Sequence, residues 1–335
     1  MKFVRYLMLA GVLTLVWGWS VAQQQGTQEQ GQTQEEQPAQ QEETAEPAPP
    51  PPRVVGQVRS QAEMEAWNAV VNAPSPEQPA KARIFLEQFP DSGMTPHAHY
   101  VIAMSAFTNN NFADFMMHGE QALEELPQAL DLASHLAFFY AETKKFDKAQ
   151  TMAGKVTSVM ADEQVRNSFQ PQQRDKLLCS AHFAIGRSQL GEFMQNKEDQ
   201  TKLDKAIENL EMAADLDPTD AYAYYRLGSA YRQKNDADQA IHYFTLAAAT
   251  GTAVGNAATR TLGEIYDLLE KDKSKIEARI QDAQESLREK LGEKQQQWAQ
   301  EAAARTTPPA ETPPPGEPAS PPPGGSSSPP PGEGG

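Results

Sequence analysis

The sequence predicts an all-α protein in which helical hairpins stack side by side into a solenoid. Apolar and small residues recur every three or four positions along residues 221–250, first on one helix and, after a break at Asn235-Asp236, on a second. Gly228 and Ala240 are small enough to let the two helices approach closely. The pattern of the second helix occurs again 34 residues earlier, at Ala206. A hairpin of this kind cannot bury its apolar face alone, so neighbouring hairpins are expected on both sides.

The helical period and the residues that carry it resemble a known repeat family. The relevant positions are Leu227-Gly228, Tyr231, Ala240, Phe244 and Ala247. Their spacing resembles the tetratricopeptide repeat, whose period is about 34 residues. Thr252 stands where that family has its final proline. An ordinary pair of amphipathic helices is the alternative interpretation of the same pattern.

Further hairpins are predicted on both sides of this one. They are expected over residues 60–92, 97–126 and 129–159, and then from residue 177 through a second helix that begins near residue 203. Residues 160–173 are predicted to be a connecting loop. After residue 250, Leu262-Gly263 and Tyr266 repeat the first half of the motif.

The chain of 335 residues divides into five predicted segments, and its formal net charge is −16. The expected order is a signal peptide or anchor, a linker, the repeats, a charged capping helix and a tail. These occupy residues 1–22, 23–57, 58–270, 271–305 and 306–335. The stretch from Val58 to Trp298 is expected to be the folded part, because both ends of the chain are poor in apolar residues.

The first 22 residues have the features of an export signal. Lys2 and Arg5 precede the mostly apolar run Tyr6–Trp17, and Ser20-Val21-Ala22 offers small residues for cleavage. An uncleaved membrane anchor is the alternative, in which case membrane contact is expected only through this segment. The protein is therefore expected to be exported, to the periplasm or cell envelope, and to be membrane-anchored if the segment stays in place.

The segments that flank the repeats are low in complexity. Residues 23–52 contain no Lys or Arg and consist mainly of Gln, Glu, Thr and Pro, and the last thirty residues are mainly Pro, Gly and Ser. Both compositions predict disorder. The charged segment 271–305 carries an apolar stripe. It is expected to cap the stack. A self-associating coiled coil is the alternative. The stripe consists of Ile276, Ile280, Leu287 and Leu291.

No motif in the sequence points to catalysis, a cofactor or a metal. The histidines are scattered singly, apart from His97 and His99, which would point in different directions on a helix. Cys179 lies in an apolar helical context and is expected to be a small buried residue, with a reactive nucleophile as the alternative. The acidic balance argues against a nucleic-acid partner. The sequence thus predicts a protein that is not an enzyme.

A second, weaker resemblance concerns the stretch FPDSGMTPHAHYVIAMSAF, residues 89–107. It is similar to envelope tetratricopeptide proteins of Gram-negative bacteria that assist outer-membrane assembly or cell division. No cysteine directly follows the apolar run of the export signal, which is a departure from the lipoprotein members of that group.

The family resemblance implies a binding groove lined by the first helix of each hairpin. Carried over to this chain, the groove is expected to contain His97, Tyr100, Met104, Phe107, Ser134, Phe138, Phe183, Arg187, Tyr222, Tyr225, Ser229 and Arg232. Tyr225 and Ser229 stand where family members that grip a terminal carboxylate have Lys and Asn. An extended or helical peptide lying on aromatic rings is therefore expected instead.

Two functions follow from this sequence. The first is a scaffold of the cell envelope that binds a protein or peptide partner in the groove. The alternative is a structural envelope protein that self-associates through its C-terminal helix and contacts wall or membrane through its tails.

Overall fold

A computed structural model describes residues 53–306, and every regular element within that range is helical. The predicted signal or anchor, most of the linker and nearly all of the tail lie outside these residues. The described helices are α1 Gln61–Val71, α2 Gln78–Gln88, α3 Thr95–Thr108, α4 Phe112–Glu125, α5 Leu130–Glu142, α6 Phe146–Ala161, α7 Glu163–Ser168, α8 Pro171–Gln195, α9 Gln200–Leu216, α10 Ala221–Gln233, α11 Ala237–Ala249, α12 Ala253–Leu268 and α13 Ile276–Thr306. A short 3-10 helix, Lys273–Lys275, precedes α13.

The helices pair as antiparallel hairpins that stack in chain order. The pairs are α1 with α2, α3 with α4, α5 with α6, α8 with α9, and α10 with α11, and each pair packs against the next. Helix α12 begins a further unit against α11. The all-α solenoid of stacked hairpins that the sequence predicted is confirmed.

Local capping explains where the helices of the most regular hairpin begin. The Asp220 carboxylate accepts the backbone N–H groups of Tyr222 and Ala223 at the start of α10. Asp236 does the same for Gln239 at the start of α11. Side-chain acceptors at this position satisfy N–H groups that the helix itself cannot pair. The boundaries are therefore determined by residues inside the repeat.

The turns between paired helices share one backbone conformation. Asn110, Lys144, Asn235 and Glu270 all have positive φ angles, between 52° and 63°. The first three stand between the two helices of a hairpin, and the fourth follows α12. The first two are 34 residues apart and the last two are 35 apart. This left-handed residue is uncommon outside glycine. Its recurrence at the repeat period is a structural counterpart of the sequence pattern.

The segment between α6 and α8 differs from the prediction of a plain connecting loop. It contains α7, whose first N–H groups are capped by the side chain of Asp162. Helix α8 begins at Pro171, six residues before the predicted start at residue 177. Proline is favoured in the first turn of a helix because its missing N–H would have no partner there. The early start makes α8 25 residues long.

The long C-terminal helix α13 packs back onto the stack. It contacts α11 along its first half and the beginning of α8 near its end. Ile280 and Trp298 on α13 are both buried. Trp298 was expected to mark the end of order, but the helix continues to Thr306. None of the helices in the described range is both long enough and apolar enough to cross a membrane.

Candidate functional site

The predicted groove residues all lie on the first helices of the hairpins. We call the surface formed by α3, α5, α8 and α10 the first-helix face. Helix α8 contacts both α5 and α10, so side chains from three repeats can meet on this face. The residues of α3 form a separate group, because α3 contacts α5 only lightly.

Three aromatic rings from three successive first helices meet on this face. The ring centroids of Phe138 and Phe183 are 5.3 Å apart in a stacked arrangement. The Tyr222 ring stands edge-on to both, at 5.6 Å from Phe138 and 6.2 Å from Phe183. Phe138 and Tyr222 are half-buried, and Phe183 is buried beneath them. We call these three residues the aromatic cluster. It offers a partly exposed aromatic surface on a rigid base.

Two arginines also meet on this face, and they share a carboxylate. The Nε of Arg187 donates to Glu142 at 3.1 Å. The Nη2 of Arg226 donates to both oxygens of Glu142, at 3.0 Å each. We call these residues the arginine pair and Glu142. Arg187 was expected here from the sequence, but Glu142 and Arg226 were not, because nothing in a helical pattern indicates a contact between residues 84 positions apart.

Two predicted groove residues are not available to a partner. Ser134 is buried, and its hydroxyl donates to the backbone carbonyl of Leu177 at 3.4 Å. Phe183 is 1% exposed and belongs to the hydrophobic core. The expectation that these side chains line the groove surface was wrong. Each lies at a contact between neighbouring helices, where packing buries the whole side chain.

The α3 residues of the predicted site are largely engaged by their neighbours. Phe107 packs against Phe115 and His135, with ring centroids 4.9 and 4.5 Å apart. The Tyr100 hydroxyl donates to Asp131. His97 lies edge-on to the Trp67 ring, and Met104 is half-buried. The structure therefore does not bring these residues together with the aromatic cluster.

The remaining predicted residues, all on α10, differ in their exposure. Tyr225 is half-buried and stands edge-on to Phe244, with centroids 5.3 Å apart. The Ser229 hydroxyl donates to the carbonyl of Tyr225 at 2.9 Å. Arg232 is exposed. These three extend the first-helix face beyond the arginine pair.

The buried thiol of Cys179 has no activating surroundings. It is 4% exposed, and its sulfur lies 3.5 Å from a carboxylate oxygen of Asp220. Burial first, and the negative charge of Asp220 second, raise the pKa of the thiol well above its ordinary value. Only the thiolate is a good nucleophile. These surroundings favour the buried structural interpretation. Among residues 53–306, no three His, Cys, Asp or Glu side chains are grouped to hold a metal ion.

Two histidines on neighbouring helices form a hydrogen bond, and a nearby arginine determines which of their ring nitrogens carries a proton. The Nδ1 atoms of His99 and His118 are 2.7 Å apart. The Nη1 of Arg83 lies 3.3 Å from the Nε2 of His118. An arginine can only donate, so this Nε2 accepts and His118 carries its proton on Nδ1, which donates to His99. Both rings are therefore neutral in this arrangement.

Acidification is expected to destabilise this corner of the fold. Burial and the neighbouring His118 lower the pKa of His99 from 6.5 to about 4. Burial and Arg83 lower the pKa of His118. Because the unfolded chain binds protons more readily, the contribution to stability is complete above pH 6.5 and is lost as the pH falls toward about 4.

The measurement is urea unfolding of the wild type and His118→Gln at about pH 7 and about pH 5. The loss of stability between the two pH values is measured for each protein and compared. The comparison is needed because Asp220 contributes to both proteins in the opposite direction. Burial raises the pKa of Asp220 to about 6, so its protonation favours the folded state. The wild type should lose more stability than the variant on acidification. Equal losses in the two proteins would contradict the assignment.

Comparisons with known proteins agree with this architecture. Residues 199–242, from the start of α9 into α11, match the family model described as TPR repeat. The chain contains tetratricopeptide repeats. The same hairpin geometry on both sides of the matched residues extends the tetratricopeptide-type stack through the described part of the chain. No curated protein sequence matches the chain.

Several solved structures have a related helical arrangement. The pilus biogenesis factor PilW, described as a widely conserved type IV pilus biogenesis factor, has a TM-score of 0.44 at 13% identity, covering 68% of this chain and 99% of its own. A MamA protein has a TM-score of 0.37 at 16% identity, covering 64% and 98%. An RS-1 MamA double mutant has a TM-score of 0.39 at 15% identity, covering 56% and 91%. At these scores the likeness carries no argument about function.

Proposed function

We propose that this chain is a non-enzymatic scaffold that binds a protein or peptide partner on the first-helix face of its tetratricopeptide repeats. The observation that carries the proposal is that the arginine pair and Glu142 lie one helical turn from the aromatic cluster, each residue four positions after a ring of the cluster on the same helix. Phe138, Phe183 and Tyr222 come from α5, α8 and α10, and Arg187 and Arg226 come from the last two of these helices. A surface built by three repeats is one that only the assembled stack can present.

The residue types on this surface are those that dominate binding energy at protein interfaces. Tyrosine and arginine are enriched at interaction hot spots, which cluster in well-packed regions with a dry surround. Phe138 and Tyr222 keep part of their surface exposed although they pack on a buried ring. Side chains held in this way lose little conformational entropy on binding. The first-helix face is thus preorganised for a partner.

The proposal includes the location of the protein. Residues 1–22 have the features of an export signal, so we place the repeats outside the cytoplasm, with the partner in the cell envelope. If the segment is retained, it anchors the repeats to the membrane. The pull-down described below tests the location as well as the binding when it is made on the exported fraction. Finding the protein only in the cytoplasm would contradict the proposed location.

The binding face is tested by removing two tyrosine rings. A crosslinked pull-down with Tyr222→Ala, Tyr225→Ala is expected to lose at least one protein that the wild type captures, by roughly tenfold or more. The matched control is Tyr231→Ala, Tyr243→Ala, because these rings are also half-buried and stack on each other 5.3 Å apart, away from the aromatic cluster. The control should retain the protein. Loss from both double variants, or from neither, would contradict the proposal.

Self-association through the C-terminal helix is not favoured as the main function. The apolar residues of α13 pack within the same chain, where Ile280 and Trp298 are buried. Of the stripe that a coiled coil would need, Ile280 is therefore buried and Ile276 and Leu287 are partly covered by the same chain. Deletion of residues 271–305 is expected to destabilise the stack rather than only to change its oligomeric state.

A further inference from the structure

The arginine pair has less acidic compensation than two guanidinium groups require. Glu142 is the carboxylate that bonds to both, and its side chain is 29% exposed. The side chains of Arg187 and Arg226 are 12% and 22% exposed. Two cations thus face one anion in a partly buried place, although the chain as a whole carries a net charge of −16. Charges removed from water in this way need partners.

One donor of the pair is left over. The Nε of Arg226 is buried and has no hydrogen-bond partner among the described residues. Burial first, and the positive charge of Arg226 second, lower the pKa of Arg187, so each cation experiences the other. A second carboxylate at the exposed edge of the pair would offset the repulsion between the two cations. The excess of one positive charge and one donor specifies the kind of group that is missing.

The surroundings of the pair define the rest of the ligand. The Arg226 guanidinium carbon lies 5.7 Å from the centroid of the Tyr225 ring, and Arg187 lies 5.8 Å from that of Phe146. The exposed part of the aromatic cluster lies one turn away, since Phe138 precedes Glu142 on α5 and Tyr222 precedes Arg226 on α10 by four residues. A chain lying across this face would meet aromatic rings and cations within neighbouring turns. It would therefore combine an acidic side chain with an apolar one.

We propose that the first-helix face binds a segment of a partner protein that places an Asp or Glu side chain on Arg187 and Arg226 and an apolar side chain on Phe138 and Tyr222. This inference rests on the proposed function and specifies the partner's chemistry. In the free protein Glu142 stands in for part of that carboxylate. The partner's acid bonds to the exposed part of the two guanidinium groups, and the strength comes from charge-assisted hydrogen bonds in a poorly solvated place.

The test begins with random-peptide display on the full chain and continues with affinity measurements on the most enriched peptide. The enriched peptides are expected to share an Asp or Glu next to an aromatic or aliphatic residue. Changing that acid to its amide should weaken binding roughly 10- to 100-fold. Arg226→Gln in the protein should weaken binding by a similar factor. Combining the amide substitution in the peptide with Arg226→Gln in the protein should weaken binding little more than either change alone, because both remove the same contact.

Glu142→Gln is the most discriminating variant, because it is expected to strengthen binding. The amide leaves the shape of residue 142 unchanged but removes the internal anion that competes for the arginine pair. Affinity for the acidic peptide should rise about threefold or more.

Arg288→Gln on the exposed side of α13 is the control for Arg226→Gln, since it changes the net charge by the same amount and should leave the affinity unchanged. The amide substitution in the peptide needs no change in the protein, so a variant that fails to fold does not block the test.

The outcomes distinguish this inference from the proposed function. Enriched peptides that depend on Tyr222 but carry no acid, or weaker binding by Glu142→Gln, would overturn the acidic-segment inference alone. Peptides insensitive to both Tyr222→Ala and Arg226→Gln would overturn the proposed function as well. A synthetic peptide of residues 23–52, which is rich in Glu and lacks Lys and Arg, serves as a competitor. If it binds as tightly as the best selected peptide, the occupant is the chain's own segment and not a partner.

Discussion

Replacing Asp175 with Ala is expected to lower the free energy of unfolding by about 3–5 kcal/mol and to release the C-terminal end of α13. The Asp175 side chain is 2% exposed. It accepts the indole N–H of Trp298 at 2.9 Å and pairs with Lys294 at 2.9 Å and with Arg174 at 2.6 Å. Burial raises the pKa of Asp175, but the hydrogen bonds from Trp298 and the two cations outweigh burial, and the net pKa is lowered. Removal of the carboxylate leaves Lys294 and the Trp298 N–H without this partner, while Arg174 keeps only its ion pair with Glu301 at 2.8 Å.

The measurement is urea unfolding, combined with hydrogen exchange of the α13 amides. Asp238→Ala is the control, because Asp238 also pairs with a lysine, Lys271 at 3.4 Å, but its side chain is 93% exposed. Exposed pairs of this kind contribute about 0–1 kcal/mol. The Asp175 variant should lose far more stability and should show fast exchange near residue 298. Equal effects of the two substitutions would show that α13 is not held by this buried carboxylate.

Adding one methyl group at Gly228 is expected to destabilise the stack by about 1–3 kcal/mol. Gly228 is on α10 where that helix meets α11. A Cβ atom at this position would lie 2.8 Å from Cγ of Phe244, which is fully buried. The contact is with the inner end of the ring, so rotating the side chain does not relieve it. The same close approach is what the small residue in the repeat motif provides.

The equivalent glycine of the next unit provides the control for this substitution. Gly263 follows Leu262 on α12 as Gly228 follows Leu227 on α10, but nothing lies within 4 Å of a Cβ built at Gly263. Gly263→Ala should therefore be neutral or stabilising by up to about 1 kcal/mol, because alanine favours the helix. Thermal or urea unfolding of the two variants measures the contrast. Destabilisation by Gly263→Ala equal to that by Gly228→Ala would contradict the packing account.

The repeat architecture could be predicted because its determinants are local. The Leu227-Gly228 pair and Phe244 lie within one hairpin, and the structure places them as the spacing indicated. The caps at Asp220 and Asp236 are local to the same hairpin. The beginning of α8 was predicted less accurately than these residues. Its first turn carries polar residues after Pro171, and a polar stretch without apolar periodicity resembles a loop.

The site was harder to predict, because its geometry depends on contacts between distant residues. The family resemblance implied that Phe138, Phe183 and Tyr222 lie on the groove side of first helices, and they do come together. It could not tell that Phe183 is the buried base of the cluster, since burial depends on the neighbouring repeats. It also gave no indication of Glu142, which bonds to an arginine on α10, or of the contact between Trp298 and Asp175, 123 residues apart.

The central claim is that the partner binds on the first-helix face, and site-specific photo-crosslinking tests it most directly. A photoreactive amino acid is placed in living cells either at Ser229, which is half-buried on α10, or at the exposed Arg288 on α13. If the claim is right, position 229 gives a specific crosslinked protein that is absent from position 288 and is reduced by Arg226→Gln. Equal crosslinking from both positions, or a specific product from position 288 alone, would contradict it.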